Sequence, residues 1–189
     1  MLETPRLRLR PLEQRDLPRF PEFLNDWDVA KWLSRAPYPY TIENAKKWYA
    51  IVMEESQNGF PAMFVLAAKE NDLLIGTVGF HIPAVPEPEK GEVVLGYWLA
   101  KPHWGQGLMS EAVTAALPLA WKRPDINKIT SFTDINNTAS QNVLRKAGLH
   151  YLGIYPRVEQ GHLRGSNTVT RWEMTRQDYV TSFPTTRAV

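Results

Sequence analysis

The stretch from Leu95 to Ala112, LGYWLAKPHWGQGLMSEA, constrains the fold more than any other part of the chain. It runs out of Glu92 to Leu99 (EVVLGYWL), nearly unbroken in apolar residues, as expected of a strand covered on both faces. A turn containing Pro102, Gly105 and Gly107 follows. Leu108, Met109, Ala112, Val113, Ala116, Leu117 and Ala120 then recur at helical spacing and predict a buried helix. Pro118 should kink or shorten that helix. A strand, a glycine turn and a helix start in this order place unpaired backbone N–H groups and a positive dipole end around a gap that glycine keeps open. Such a place suits an anion, most often a phosphate. The same glycines also suit a plain tight turn, and the loop by itself leaves both readings open.

Two known phosphate motifs fail here. A Walker loop needs Lys-Ser or Lys-Thr after its last glycine, and a dinucleotide fingerprint needs a third glycine where Ser110 stands.

The rest of the chain reads as mixed α/β. Arg6 to Arg10 alternates Arg and Leu, which predicts a half-buried first strand rather than a polybasic patch. Glu13 to Leu24, broken by Pro18 and Pro21, and Asp28 to Leu33 carry helical signals. Thr41 suits the cap of a helix holding Ala45, Trp48, Tyr49, Val52 and Met53. Met63 to Ala68 and Leu73 to His81 read as a hairpin about Asn71-Asp72, and the proline-rich Ile82 to Gly91 as a loop. Lys128 to Thr133 reads as a strand, and Asn137 or Thr138 caps a helix to Ala147 that Gly148 ends. His150 to Val158 and Thr168 to Thr175 are the last strands, with a polar loop, Gln160 to Asn167, between them. Residues 1–180 are expected to form one domain, and 181–189 a loose tail.

Composition removes several classes of function. With 189 residues, net charge +2 and no cysteine, the chain offers no concentrated basic face for nucleic acid, no thiolate metal site and no cysteine nucleophile. Its four histidines lack ligand spacing, so no metal is expected. Without a long apolar run or a signal-like start, the expectation is a cytoplasmic protein with no membrane partner, as monomer or homodimer.

The string Pro102-His103-Trp104-Gly105-Gln106-Gly107, with Leu108 to Ala112 after it, resembles the coenzyme A motif Q/R-x-x-G-x-G/A of the GCN5-related N-acetyltransferase (GNAT) superfamily. Pro102 departs from it at the first position. Thr4-Pro5-Arg6-Leu7-Arg8-Leu9-Arg10, Asn137-Thr138-Ala139-Ser140 and Trp172-Glu173-Met174-Thr175 are similar to segments of its ribosomal-protein alanine N-acetyltransferase (RimJ/RimL-like) subgroup. The resemblance covers about residues 4–180. It implies a single mixed, mostly antiparallel central sheet flanked by helices, with a V-shaped cleft between two parallel strands, Glu92 to Leu99 and Lys128 to Thr133.

It further implies that acetyl-CoA is the co-substrate. Trp98, Leu99 and Ala100 would meet the pantetheine arm. Gly105, Gln106, Gly107, Leu108 and Met109 would hold the pyrophosphate, and Asn137 would either bond the arm or cap its helix. An amine, at a protein N-terminus or on a small molecule, would attack the thioester directly. Glu92 is the first candidate for general base, through water, against the plainer reading of a solvated residue leaving a loop; His81 is a weaker candidate. Ser140 is the candidate partner of the leaving thiolate, against a plain helix-capping role. Support of the loop is the role expected of Glu111. A non-catalytic coenzyme A-binding module remains a third reading.

Overall fold

Alternation puts Leu7 and Leu9 into the core, where both are fully buried. The computed structural model describes residues 1–57, 63–83, 89–157 and 165–182. The first strands are β1 (Leu2–Glu3) and β2 (Leu7–Arg10). Three helices follow: α1 (Arg19–Leu24), α2 (Trp27–Ala30) and α3 (Ile42–Gln57). Then come β3 (Phe64–Ala68), β4 (Leu74–His81), β5 (Glu92–Leu99), α4 (Leu108–Trp121) and β6 (Lys128–Asp134). The described chain ends with α5 (Thr138–Lys146), β7 (His150–Pro156), β8 (Thr168–Thr175) and α6 (Arg176–Ser182).

One sheet orders these strands β1-β2-β3-β4-β5-β6-β8-β7. Every pairing is antiparallel except β5 with β6. One face packs on α4 and α5 through Leu95, Val113, Leu117, Ile129, Leu144 and Met174. The other packs on α1 and α3 through Phe20, Leu24, Ala45, Val52 and Val65.

Several expectations shift. The first strand begins at Leu7 rather than Arg6, and β1, too short to alternate, precedes it. The helix signal between Asp28 and Leu33 resolves into one turn, Trp27–Ala30, capped by Asp26. Pro118 does not shorten α4, which runs on to Trp121. Ala116, Leu117, Ala120 and Trp121 are buried around it, and that packing outweighs the missing hydrogen bond. Thr181 and Ser182, expected in the tail, belong to α6; residues 183–189, like most of the 160–167 loop, lie outside the described residues. Strand β7 stops at Pro156 and is exposed along nearly its whole length, as suits an edge.

Candidate active site

The parallel ladder between β5 and β6 has three pairs, Glu92↔Lys128, Val93↔Ile129 and Val94↔Thr130, and then stops. Both strands continue, β5 to Leu99 and β6 to Asp134, held elsewhere by β4 and β8. The sheet therefore opens between them. This explains why the upper half of β5 is less covered than its apolar sequence predicts: Gly96, Tyr97 and Trp98 are only partly buried. The Ser131 hydroxyl donates to the Leu95 carbonyl at 2.9 Å and closes the base of the gap.

Just past the top of β5, the turn expected to hold phosphates adopts the conformation that requires glycine. Gly105 and Gly107 have φ of 75° and 76°, a region L residues enter at a cost of roughly 1–2 kcal/mol. A Cβ on Gly105 would meet nothing within 4 Å, so this edge of the loop faces open space. Gly107 is the N-cap of α4, and no side chain caps that helix end. The first N–H groups of α4, on Leu108, Met109 and Ser110, thus lie at an uncapped dipole end, which fits a pyrophosphate.

Glu111, expected to support the loop, braces it from behind together with Thr4 and Arg6, which sequence reasoning did not assign to it. Glu111 accepts from the Thr4 hydroxyl at 2.6 Å, from the Arg6 backbone N–H at 2.9 Å and from Arg6 Nε at 2.7 Å. Arg6 Nη1 also donates to the Gln106 carbonyl at 2.7 Å. Burial alone would raise the Glu111 pKa, but these donors outweigh it and hold the carboxyl below its usual range. Pro102 lies in a short 3-10 turn, Lys101–His103, and its carbonyl accepts from Gln106 Nε2 at 3.3 Å.

The remaining cofactor candidates divide. Leu99 and Ala100 are buried, and their backbones are engaged: the Leu99 carbonyl accepts from the Trp104 indole at 2.7 Å, and the Ala100 N–H donates to Ile75 at 2.8 Å. Trp98 points to the α1–α3 face and packs edge-on against Phe20, centroids 5.7 Å apart. Asn137 uses its side-chain oxygen to cap α5, accepting from the Ser140 N–H at 3.1 Å.

The two catalytic candidates lie on opposite faces of the sheet, because side chains alternate along β5. Glu92, Val94, Gly96 and Trp98 face α1 and α3, while Val93, Leu95, Tyr97 and Leu99 face α4 and α5. Glu92 accepts from the Thr130 hydroxyl at 2.8 Å and has Lys128 Nζ and Arg171 Nη2 each at 4.0 Å. It borders a cavity of about 430 Å³ with Glu55, Ile82 and Val93. Ser140 approaches from α5 on the other face, its Oγ 2.8 Å from Tyr97 Oη.

His81 shares the Glu92 face and pairs across with Val94. Its ring lies edge-on to Trp48, and its Cδ2 lies 3.8 Å from where a Gly96 Cβ would stand. Glu55 Oε2 is 3.8 Å from Nδ1, too far for a hydrogen bond. Burial, then the nearby Arg35 charge, lowers the His81 pKa from 6.5 to about 4. The sign for stability follows. Between these values the unfolded chain takes up a proton that the folded chain refuses, so the contribution is complete above pH 6.5 and is lost as pH falls toward 4. At about 1.4 kcal/mol per unit, reduced for partial exposure, wild type should lose about 2–3 kcal/mol more than His81→Leu between pH 7 and 4. Urea unfolding at both pH values checks this, and equal losses would contradict it.

An open sheet with a phosphate-fitting helix end at one lip and candidate proton-handling groups on both sides defines a group-transfer enzyme of the acyltransferase type. A family model described as the acetyltransferase (GNAT) domain matches residues 6–150, and the chain belongs to that family. The N-acetyltransferase p20 of Bacillus licheniformis, itself uncharacterized, is 29% identical over 153 residues, covering 81% of this chain and 84% of that protein. The fold is that of ribosomal-protein-S5-alanine acetyltransferase from Vibrio fischeri (TM-score 0.78, 20% identity, 94% and 97% of the two chains). It is also that of RimL, a ribosomal L7/L12 alpha-N-protein acetyltransferase, in complex with coenzyme A (TM-score 0.73, 19% identity, 91% and 95%).

Proposed function

We propose that the protein transfers an acetyl group from acetyl-CoA to the α-amine of a protein N-terminus. The observation that carries this reading is the end of the β5–β6 ladder at Val94↔Thr130, on the strand that leads into the left-handed glycines and the uncapped start of α4. Acetyl-CoA fits that layout. Its pyrophosphate would take the N–H groups from Gly105 to Met109, and its extended arm would enter the gap beside Trp98 and Leu99. The amine would then come from the Glu92 and His81 face, and the thiol would leave on the Ser140 face.

Chemistry favours an α-amine. Its pKa of about 7.7–8.0 leaves roughly a tenth of it free at neutral pH, whereas a lysine amine at about 10.4 is almost wholly protonated. Two fold neighbours, a ribosomal L7/L12 alpha-N-protein acetyltransferase and a ribosomal-protein-S5-alanine acetyltransferase, point the same way.

The test is thiol release from acetyl-CoA with peptides beginning in Ser or Ala and with small amines. Turnover with the peptides alone is expected. Turnover only with small amines would move the acceptor to metabolites or antibiotics. A melting temperature raised by acetyl-CoA without turnover would leave a binding module. Neither effect would remove the coenzyme from the reading.

A further inference from the structure

Tyr97 is a partly buried phenol that the acetyl-transfer reading does not use. It sits on the part of β5 that has lost its β6 neighbour, and its ring packs on the α4–α5 core. Its hydroxyl crosses to the first turn of α5, 2.8 Å from Ser140 Oγ and 3.1 Å from the Ser140 carbonyl. Burial raises its pKa, with the Ser140 hydrogen bond only partly opposing this, so it acts as a neutral O–H and not as an acid that gives up its proton.

We propose that Tyr97 is a positioning residue that turns the Ser140 hydroxyl toward the departing thiol. This rests on the acyl-CoA reading above. Two hydrogen arrangements fit the distances. When the Tyr97 hydrogen points to the Ser140 carbonyl, the Ser140 hydroxyl donates to Tyr97 Oη, and its hydrogen is turned away from the cleft. When the Tyr97 hydrogen points to Ser140 Oγ, that oxygen is satisfied as an acceptor, and its own hydrogen is free to point into the gap. Attack of the amine forms the new C–N bond, and collapse breaks the C–S bond and leaves the electron pair on sulfur. As that charge grows, it draws the Ser140 hydrogen, and the Tyr97 hydrogen swings to Oγ behind it. Two O–H groups rotate, and no proton leaves either oxygen. The proton lost by the amine departs on the opposite face. The hydrogen bond is thus strongest when the sulfur is charged, the condition for speeding the step rather than only tightening binding.

The test uses Tyr97→Phe, Ser140→Ala and the double variant, with two readouts. The first is the thiol of bound coenzyme A, titrated by the ultraviolet absorbance of its thiolate. Wild type should hold it below the value of free coenzyme A titrated alongside. Each single variant should raise it by about one unit, a tenfold change, and the double variant no further. The second is kcat with the acceptor peptide, expected to fall about tenfold in each single variant and no further in the double variant, while the KM for acetyl-CoA and the melting temperature hold. An effect of Tyr97→Phe that persists in the Ser140→Ala background, or that appears only in KM or melting temperature, would overturn the proposal. If Ser140→Ala shifts the thiol and Tyr97→Phe does not, the inference fails and the acyl-CoA reading stands. If coenzyme A does not bind, both fall.

Discussion

Replacing Asp16 with Ala is expected to cost about 3–5 kcal/mol of folding stability and to lower the melting temperature by roughly 10 °C. Arg10 ends β2 with a side chain only 4% exposed, and Asp16 faces it at 3%. The pair is bidentate, both N–O distances being 2.8 Å. Asp16 also accepts from the Glu13 N–H at 2.9 Å, and Arg10 reaches the Asp72 carbonyl at 3.0 Å. The knot therefore ties β2, the turn leading into α1 and the β3–β4 hairpin together. Truncating Asp16 leaves a desolvated guanidinium whose remaining carboxylates are Asp72, at 3.4 Å and shared with Arg8 and Arg15, and the more exposed Glu13, at 3.8 Å and shared with Arg15. The cost comes from that stranded charge, not from the worth of the pair. An Arg10→Met, Asp16→Leu double variant, which removes both charges, should recover most of the loss. Chemical unfolding of the three proteins decides it. A loss below about 1 kcal/mol for Asp16→Ala would mean that Asp72 and Glu13 suffice to neutralise Arg10.

Local signals in the sequence carried the parts of the fold that depend on near neighbours. Strands β5 and β8 begin and end where the sequence pattern places them. Thr41 caps α3 through reciprocal bonds with Asn44, and Asn137 caps α5. Gly148, at φ 86°, closes α5 as the glycine after a helix should. Helix α6, absent from the elements expected above, carries its own local signal: in Thr175-Arg176-Gln177-Asp178 the Asp178 carboxylate accepts from the Thr175 N–H at 2.8 Å, and Asp178 returns an N–H to the Thr175 hydroxyl. What local pattern does not encode is contact between distant segments. Glu111 stands more than a hundred positions from Thr4 and Arg6, and Tyr97 is separated from Ser140 by 43. The glycine turn announced itself and Glu111 could be assigned to its support, while the partners of Glu111 and the phenol beside the serine emerge only once the sheet is assembled. The placement of Glu92 and Ser140 on opposite faces is intermediate: alternation along EVVLGYWL sets which residues oppose each other, but tertiary packing decides which helix each face meets.

Glu92→Gln is expected to lower kcat for an N-terminal peptide about a hundredfold at neutral pH, the lower end of the range for loss of a general base. Gln keeps the shape and an oxygen that can still accept from Thr130 Oγ1, so the melting temperature should hold and the KM for acetyl-CoA should not change. Glu92 lies four residues before Gly96, about 13 Å of strand, so the proton reaches it through water. Its carboxylate also offers the incoming ammonium an opposite charge at the edge of the cavity. His81 stands closer to the opening, but taking up a proton there would create a cation in a buried place beside Arg35, the state that its lowered pKa shows to be disfavoured. The pH dependence separates a base from a prop. A base matters because most of the α-amine is protonated at neutral pH. As pH rises past about 8 the amine frees itself. The Glu92→Gln deficit should therefore shrink steadily from pH 7 to pH 9 if Glu92 takes the proton. A deficit of constant size would mean that the charge orients the acceptor without removing its proton. A deficit under about threefold at pH 7 would pass the role to His81, whose replacement by Asn would then carry the large loss.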